Sequence, residues 1–492
     1  MIKSPKLPHE IIFTDETKPK TKKIIDVDAD GDGGVVAWLD DDAGTVMKVS
    51  TQILGMKVQT SKYCRSMFYH NSMLQKIDFK MLDTSSATDI SSMFDGCSGL
   101  TSLDLSPLDT QNVTDMSSMF SNCSGLTSLD LTPLDTQNVT DMGSMLSGCS
   151  GLTSLDLTPL NTQNVTDMGG MFRYCSGLTS LDLAPLDTQK VTDMSQMFSG
   201  CSGLTSLDLA PLDTQNVTNM WGIFSGCSGL TSLDVSPLDT QNVTSMSGMF
   251  SGCRGLTNLD LTPLNTQNVT DMGGMFRYCS GLTSLDLAPL DTQKVTDMSQ
   301  MFSGCSGLTS LDLAPLDTQN VTNMWGIFSG CSGLTSLDVS PLDTQNVTSM
   351  SGMFSGCRGL TNLDLSSFDT NNVTRVGGYG QYGQNGGYSY GGATGMFENC
   401  SSLVSLIIPF DTSHITDFGR MFQGCSSLTT LDISTFDTTT AKDMGCMFDG
   451  CKNLTNINLP KTSTKNVTSL NGMFNNCNSL KSLDLSSFEH QM

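Results

Sequence analysis

Little in this sequence suits catalysis. The chain holds 492 residues but only four histidines, His9, His70, His414 and His490, scattered along its length. No P-loop and no G-x-S-x-G occurs, and the cysteines lack zinc-site spacing. These absences argue against an enzyme, and no cofactor is expected. Positive charge is also scarce, with 25 Lys and Arg against 49 Asp and Glu, a formal charge of −24. Most of such a surface would repel nucleic acid and anionic membrane, so a basic, calcium-bridged or neutral glycan partner fits better. Nowhere do 18 apolar residues run together, and Met1 to Glu10 has no apolar core of signal-peptide length. Neither a membrane span nor a secretion signal is therefore expected. The one basic cluster, Lys18, Lys20, Lys22 and Lys23 around Pro19, reads as part of a solvated N-terminal tail over 1–23 rather than a binding patch.

What the chain has in excess is repetition. A unit runs from Met93 to Ser118, MFDGCSGLTSLDLSPLDTQNVTDMSS, and successors begin every 26 residues at Met119, Met145, Met171, Met197, Ile223, Met249, Met275, Met301, Ile327 and Met353. A degenerate unit begins at Met67 and four more at Met396, Met421, Met447 and Met473, giving sixteen. Regular repeats of this length mean a solenoid, because one unit cannot bury its own apolar stripe. Leu100, Leu103 and Leu105 fit the L-x-x-L-x-L strand pattern, and Pro107 and Asp109 turn the chain away. Val113, Met116, Met119 and Phe120 then recur at three- to four-residue steps, predicting a short helix or 3-10 turn with Asn112 and Thr114 near its cap.

The expected fold is thus an α/β solenoid, a right-handed stack with a parallel sheet on its concave face and short helical turns opposite. At about 4.8 Å per strand, sixteen coils make a curved rod of roughly 75 Å. Fifteen of the 17 cysteines share one position of the repeat, which predicts a buried column of free thiols rather than disulfides. Cys64 and Cys446 lie outside it, with their redox state open. The methionine column reads as core filler.

Residues 155–261 recur unchanged at 259–365, an offset of four repeats. A catalytic residue inside the copied block would be duplicated, so a repeated, length-tunable surface is more natural there than a single active site. Ahead of the repeats, Val35 to Leu39 and Val46 to Val49 predict two strands joined through Asp40 to Gly44, a capping segment over 24–66. Repeats then fill 67–376 and 396–492, separated by an inserted Gly/Tyr-rich loop, 377–395. The last unit, ending at Met492, lacks a polar closing segment, which leaves truncation, a lost further domain or end-to-end self-association as explanations.

The phrases LTSLDLSPLDTQNVTDMSSMF and CSSLTTLDISTFDTTTAKDMGCMF resemble the BspA-like, mycoplasma-type leucine-rich-repeat surface proteins, and VVAWLD…TVMKVST resembles the segment that often precedes such repeats. The resemblance covers 67–492, about seven-eighths of the chain. It implies a surface-displayed or extracellular protein concerned with adhesion to a protein or glycan on a cell or matrix. The sequence departs from the surface forms in carrying no signal peptide, lipobox cysteine or sorting motif.

Strand alternation directs Ser102 and Asp104 outward, opposite Leu103 and Leu105. The Asp column continues through Asp130, Asp156, Asp182, Asp208, Asp234, Asp260, Asp286, Asp312, Asp338 and Asp364 and reappears at Asp432 and Asp484. Stacked like charges repel by roughly 1 kcal/mol per pair even in a water-like dielectric, so the column should attract counter-ions or a cationic ligand. It is either a binding face or a ladder that keeps the protein soluble. The insert carries Tyr379, Tyr382, Tyr388 and Tyr390, either on a flexible linker or as a stacking loop for sugars or protein. Asp26, Asp28, Asp30 and Asp32 begin like a calcium loop, but its twelfth position is Ala37 where a bidentate Glu belongs, so an acidic turn is the plainer reading. Asn-Val-Thr sequons recur from Asn112 to Asn466 where a turn needs a cap, and glycosylation would matter only in a eukaryotic secretory pathway.

Overall fold

A computed structural model describes residues 8–27, 33–377, 394–486 and 488. They fall into two compact units, Met1–Leu230 with Pro237–Asp239, and Thr231–Ser236 with Thr240–Met492.

The first unit opens with a five-stranded sheet. Its strands are β1 (Glu10–Thr14), β2 (Ile25–Asp26), β3 (Val36–Leu39) and β4 (Val46–Ser50), joined by β6 (Lys76–Asp78) from the first repeat, in the order β2-β3-β4-β1-β6. The β3–β4 pair is the expected hairpin, antiparallel with Trp38 opposite Lys48. Asp41 shapes its turn by accepting the Thr45 hydroxyl and, at 2.9 and 2.8 Å, the Val46 and Thr45 N–H groups; the hydroxyl bond above all pulls its carboxyl down to about 2. The N-terminal tail expected over 1–23 is corrected here. Residues Glu10–Thr14 form a strand between β4 and β6, parallel to both. Alternation is the reason, since Ile11 and Phe13 turn inward and the Phe13 ring packs 6.4 Å from Phe68 and 6.3 Å from Phe79. A short pair, β5 (Val58–Gln59) and β7 (Leu82–Asp83), completes the junction with the first coil.

In both units the coil interior is built from columns. Phe rings stack nearly parallel, as in Phe172–Phe198–Phe224 at 5.9 and 6.0 Å and Phe250–Phe276–Phe302–Phe328 at 5.8–5.9 Å. The fifteen column cysteines are free thiols, as the repeat spacing predicts. From Cys97 to Cys227 and from Cys279 to Cys477 each column thiol donates to a Phe carbonyl of the preceding coil, Cys175 Sγ to Leu146 O being the variant where Leu replaces Phe, all at 3.0–3.2 Å. Burial pushes these thiols up, Cys175 and Cys305 to about 12, so they are inert filler. A buried Thr column ties successive coils twice over: Thr162 Oγ1 donates to Asp187 O at 2.9 Å and accepts the Asp187 N–H at 2.8 Å.

The two sides of a coil differ from the expectation. Among the described residues no helix or 3-10 turn is present. The segment from Met116 to Cys123 is instead a run of β-turns, with Met119, Ser121 and Cys123 donating to the carbonyls three residues back at 3.0–3.2 Å. The alternate N–H groups of Ser118, Phe120 and Asn122 point along the stack and donate to Gly143, Met145 and Ser147 of the next coil at 2.6–2.9 Å. A helix would have spent those donors internally and left the coils unjoined. Positive φ at Ser118 (55°) and Asn122 (57°) produces the alternation.

On the other side, the TSLDL segments form paired strands only at β8 (Asn362–Asp364) with β9 (Ser405–Ile407), and β10 (Thr430–Asp432) with β11 (Asn456–Asn458), both parallel and both in the second unit. Apart from β6 of the first repeat, which pairs with β1, those segments carry no strand elsewhere among the described residues, and the Thr127 N–H to Thr101 O contact opens to 3.4 Å. Each unit is therefore a stack of coils whose main backbone ladder lies on the turn side, not on the side expected to form a continuous sheet.

Candidate functional site

The outward Asp row stands where alternation places it. Asp104 and Ser102 are exposed, Leu105 is buried and Leu103 half-buried. Each carboxylate also does local work, accepting the N–H two residues on in an Asx-turn that bends the chain away from the Leu-rich segment. In the first unit Asp104, Asp130, Asp156, Asp182 and Asp208 accept from Ser106, Thr132, Thr158, Ala184 and Ala210 at 2.9–3.0 Å. In the second unit Asp234, Asp260, Asp286, Asp312, Asp338 and Asp364 accept from Ser236, Thr262, Ala288, Ala314, Ser340 and Ser366 over the same range. Where the second residue is Ser or Thr, its hydroxyl adds a bond and the carboxyl falls below the usual Asp value, as in Asp104, Asp130 and Asp260. Repulsion from Asp104 acts on Asp130 in the opposite sense and is the weakest influence there. The turns thus favour the ionised form of the carboxylates that a Ser or Thr follows.

A second acidic column was not singled out in the sequence. Asp89, Asp115, Asp141, Asp167 and Asp193 bridge one another in parallel register in the first unit, as do Asp271 with Asp297 and Asp417 with Asp443 in the second. These residues lie on the turn-side ladder, where Asp141 and Asp167 Oδ1 accept the Gly143 and Gly169 N–H groups at 2.8 Å. Burial raises the carboxyls of Asp141, Asp167, Asp271 and Asp417, and neighbouring aspartates add to the rise. The recurring Asp-Met-small triplet was the available signal.

Other candidates resolve differently. The sequon asparagines cap no helix: Asn138 and Asn164 Nδ2 donate to Gln111 O and Gln137 O of the preceding coil at 2.8 and 2.9 Å, a rung that repeats at Asn216, Asn268 and Asn320. Cys64 is buried, donating from Sγ to Ser61 O at 3.0 Å, and Cys446 is half-buried; both are free thiols. Asp26 lies in β2, while Asp28, Asp30 and Asp32 fall outside the described residues, as do Tyr379, Tyr382, Tyr388 and Tyr390. The flanks of that insert, Gly377 and Thr394, are on the turn side, with Ser351 Oγ donating to Gly377 O at 3.1 Å. Among the described residues no group of three or more His, Cys, Asp or Glu is placed to hold a metal ion.

A family model described as "Mycoplasma protein of unknown function, DUF285" matches residues 62–180, 171–286, 202–309, 275–382 and 392–489. The chain belongs to this family. The DUF285 matches cover the repeats that carry the BspA-like resemblance and leave out strands β1 to β5. Among solved structures, a leucine-rich repeat protein from Bacteroides ovatus is similar at 16% identity and TM-score 0.34, covering 89% of this chain and 87% of that one. One from Eubacterium ventriosum gives 14%, 0.37, 85% and 93%, and a leucine-rich cell surface protein from Faecalibacterium prausnitzii gives 16%, 0.31, 98% and 88%. No curated protein matches the sequence.

Proposed function

We propose that this DUF285 chain is a binding and adhesion module, displayed on a cell surface or secreted, that engages a protein or glycan of a host, matrix or neighbouring cell through the strand side of its coils. The observation that carries this reading is the outward Asp row. The interior columns are consumed by packing and by bonds between coils, whereas these carboxylates are exposed, recur once per coil and are held in place by their own turns. A row of fixed negative charge steers a basic or cation-bridged partner and supplies many equivalent weak contacts. Replacing Asp130, Asp156, Asp182 and Asp208 with Asn and measuring attachment to immobilised matrix proteins and whole cells tests it. Loss of attachment without loss of fold is expected, and unchanged attachment refutes the strand-side reading.

A second reading, a structural rod that associates end to end, is favoured by one feature. The last described coil presents an apolar hollow of about 620 Å³ lined by Leu470, Met473, Phe474, Leu485 and Phe488. Light scattering over a concentration series distinguishes the two: growth of oligomers that stops in Leu485→Asp supports the rod, and a monomer at all concentrations removes it.

A further inference from the structure

Four large side chains interrupt the small residues of the turn side in the first unit. The column of Asn122, Gly148, Gly200 and Gly226 holds Tyr174, with Arg173 beside it. The column of Ser118, Ser144, Gly170 and Gly222 holds Gln196, and that of Ser117, Gly143, Gly169 and Ser195 holds Trp221. The ladder fixes their order. Tyr174 N–H donates to Ser199 O of the coil that carries Gln196, and Gln196 N–H donates to Trp221 O of the coil after it, at 2.6 and 2.7 Å. The three residues therefore form a diagonal over consecutive coils, with the rings two coils, or about 10 Å, apart along the stack.

Both rings are exposed, Tyr174 at 52% and Trp221 at 45%. Tyr174 is held in place: the Arg173 guanidinium lies 4.7 Å from its centroid with Nη2 3.3 Å from its hydroxyl, and Gly200 packs so close that any Cβ there would run into the ring. The second unit has its own set, with Arg277 4.7 Å from Tyr278, Tyr278 43% exposed, and Gln300 N–H donating to Trp325 O at 2.8 Å, Trp325 being half-buried.

Isolated rings among Ser, Gly and Gln do not make the contiguous apolar core of a protein interface. They do suit sugars, whose C–H faces stack on aromatic faces while hydroxyls find an amide that both donates and accepts. The arginine is already engaged with its tyrosine, and the chain's charge of −24 disfavours an anionic polymer. We infer that the turn side of each unit is a platform for an extended, uncharged polysaccharide, formed by Tyr174, Gln196 and Trp221 in the first unit and by Tyr278, Gln300 and Trp325 in the second. Two like platforms on one chain match a polymer of many identical segments. This face is separate from the outward Asp row.

Affinity electrophoresis of the full chain through gels containing xylan, glucomannan, mixed-linkage β-glucan or hydroxyethylcellulose, with a heparin gel as the anionic control, tests the inference. Retardation is expected in at least one neutral gel and not in heparin. The pair Tyr174→Ala and Trp221→Ala should weaken it roughly ten-fold, and adding Tyr278→Ala and Trp325→Ala should abolish it. Tyr174→Phe with Trp221→Phe, which keeps the stacking faces, should retain most of it and guards against misfolding as the cause. The four-alanine variant keeps the outward aspartates, so its attachment to immobilised matrix proteins should be unchanged and the outcome is read apart from that of the strand-side adhesion test. No retardation in any neutral gel, retardation that survives the four alanines, or stronger binding to heparin overturns the proposal.

Discussion

Two aspartates eleven residues apart in the sequence, Asp156 on the strand side and Asp167 on the turn side, make the same local bond and titrate in opposite directions. Each accepts the N–H two residues on, at 2.9 and 2.8 Å. The Asp156 carboxyl stands in water, and its bonds to Thr158 lower it; the Asp167 carboxyl is half-buried, and burial raises it despite its bond to Gly169, with Asp193 adding repulsion. What differs is the backbone around them. Within each unit the turn side closes into a ladder that shields its carboxylates, while the strand side stays open and leaves them to solvent. One residue type is thereby divided between a costly internal column and a charged external row.

The largest break in this comparison should come from the ladder itself. Ser144 donates its N–H to Gly169 O at 2.7 Å from a backbone with φ of 55°. Proline removes that donor and cannot adopt that φ, so Ser144→Pro should destabilise the first unit by about 3 kcal/mol or more, read as a fall in the denaturation midpoint. A loss below about 1 kcal/mol would mean that the turn side is not the main tie between coils.

Neutralising single aspartates should then move stability in opposite directions. Asp167→Asn keeps an acceptor for Gly169 and removes a half-buried charge, so Tm should rise by about 1–2 °C. The chain already uses this exchange at Asn219, whose Nδ2 donates to Asp193 Oδ2 at 3.0 Å. Asp156→Asn should lower Tm slightly, and equal shifts of one sign would contradict the division. The pH dependence separates the columns again. Carboxyls raised above the ordinary aspartate value of 3.8, such as Asp141 and Asp271, gain protons in the folded state first, so stability rises as pH falls through their folded values. Carboxyls held below 3.8, such as Asp104 and Asp338, contribute stability above that value and lose it as pH falls through their folded values. Thermal melts should therefore peak in the acid range near the ordinary Asp value, and a monotonic fall from neutral pH would show that burial of the turn-side column is negligible.

The interior columns were legible in the sequence because each recurs at a fixed position: Leu105, Val113, Met116, Met119, Phe120 and Cys123 are buried as the period requires. The turn was not. Apolar residues three and four apart fit a helix and a run of β-turns equally well, and the positive φ that decides between them falls on Ser118, Ser144 and Gln196 as well as on glycines. Strand β1 was hidden for another reason, since its partners begin at Val46 and Lys76, far along the chain, and no local signal announces such pairing. Of the candidate sites, alternation placed the outward Asp row where it stands. The half-buried column escaped notice because its burial depends on the ladder, and the Tyr–Gln–Trp diagonal because its members are 22 and 25 residues apart and meet only when coils stack.

Attachment of the whole chain to immobilised matrix proteins and cells, compared between two sets of variants, tests the account most directly. One set carries Asn at the outward Asp130 and Asp156, the other at the half-buried Asp141 and Asp167. Both keep the backbone bonds and both remove negative charge, so only the position of the charge differs. The account predicts that the first set loses attachment while folding normally, and that the second attaches like the unaltered protein with a higher Tm. Equal attachment by both sets, or loss only in the second, would contradict it.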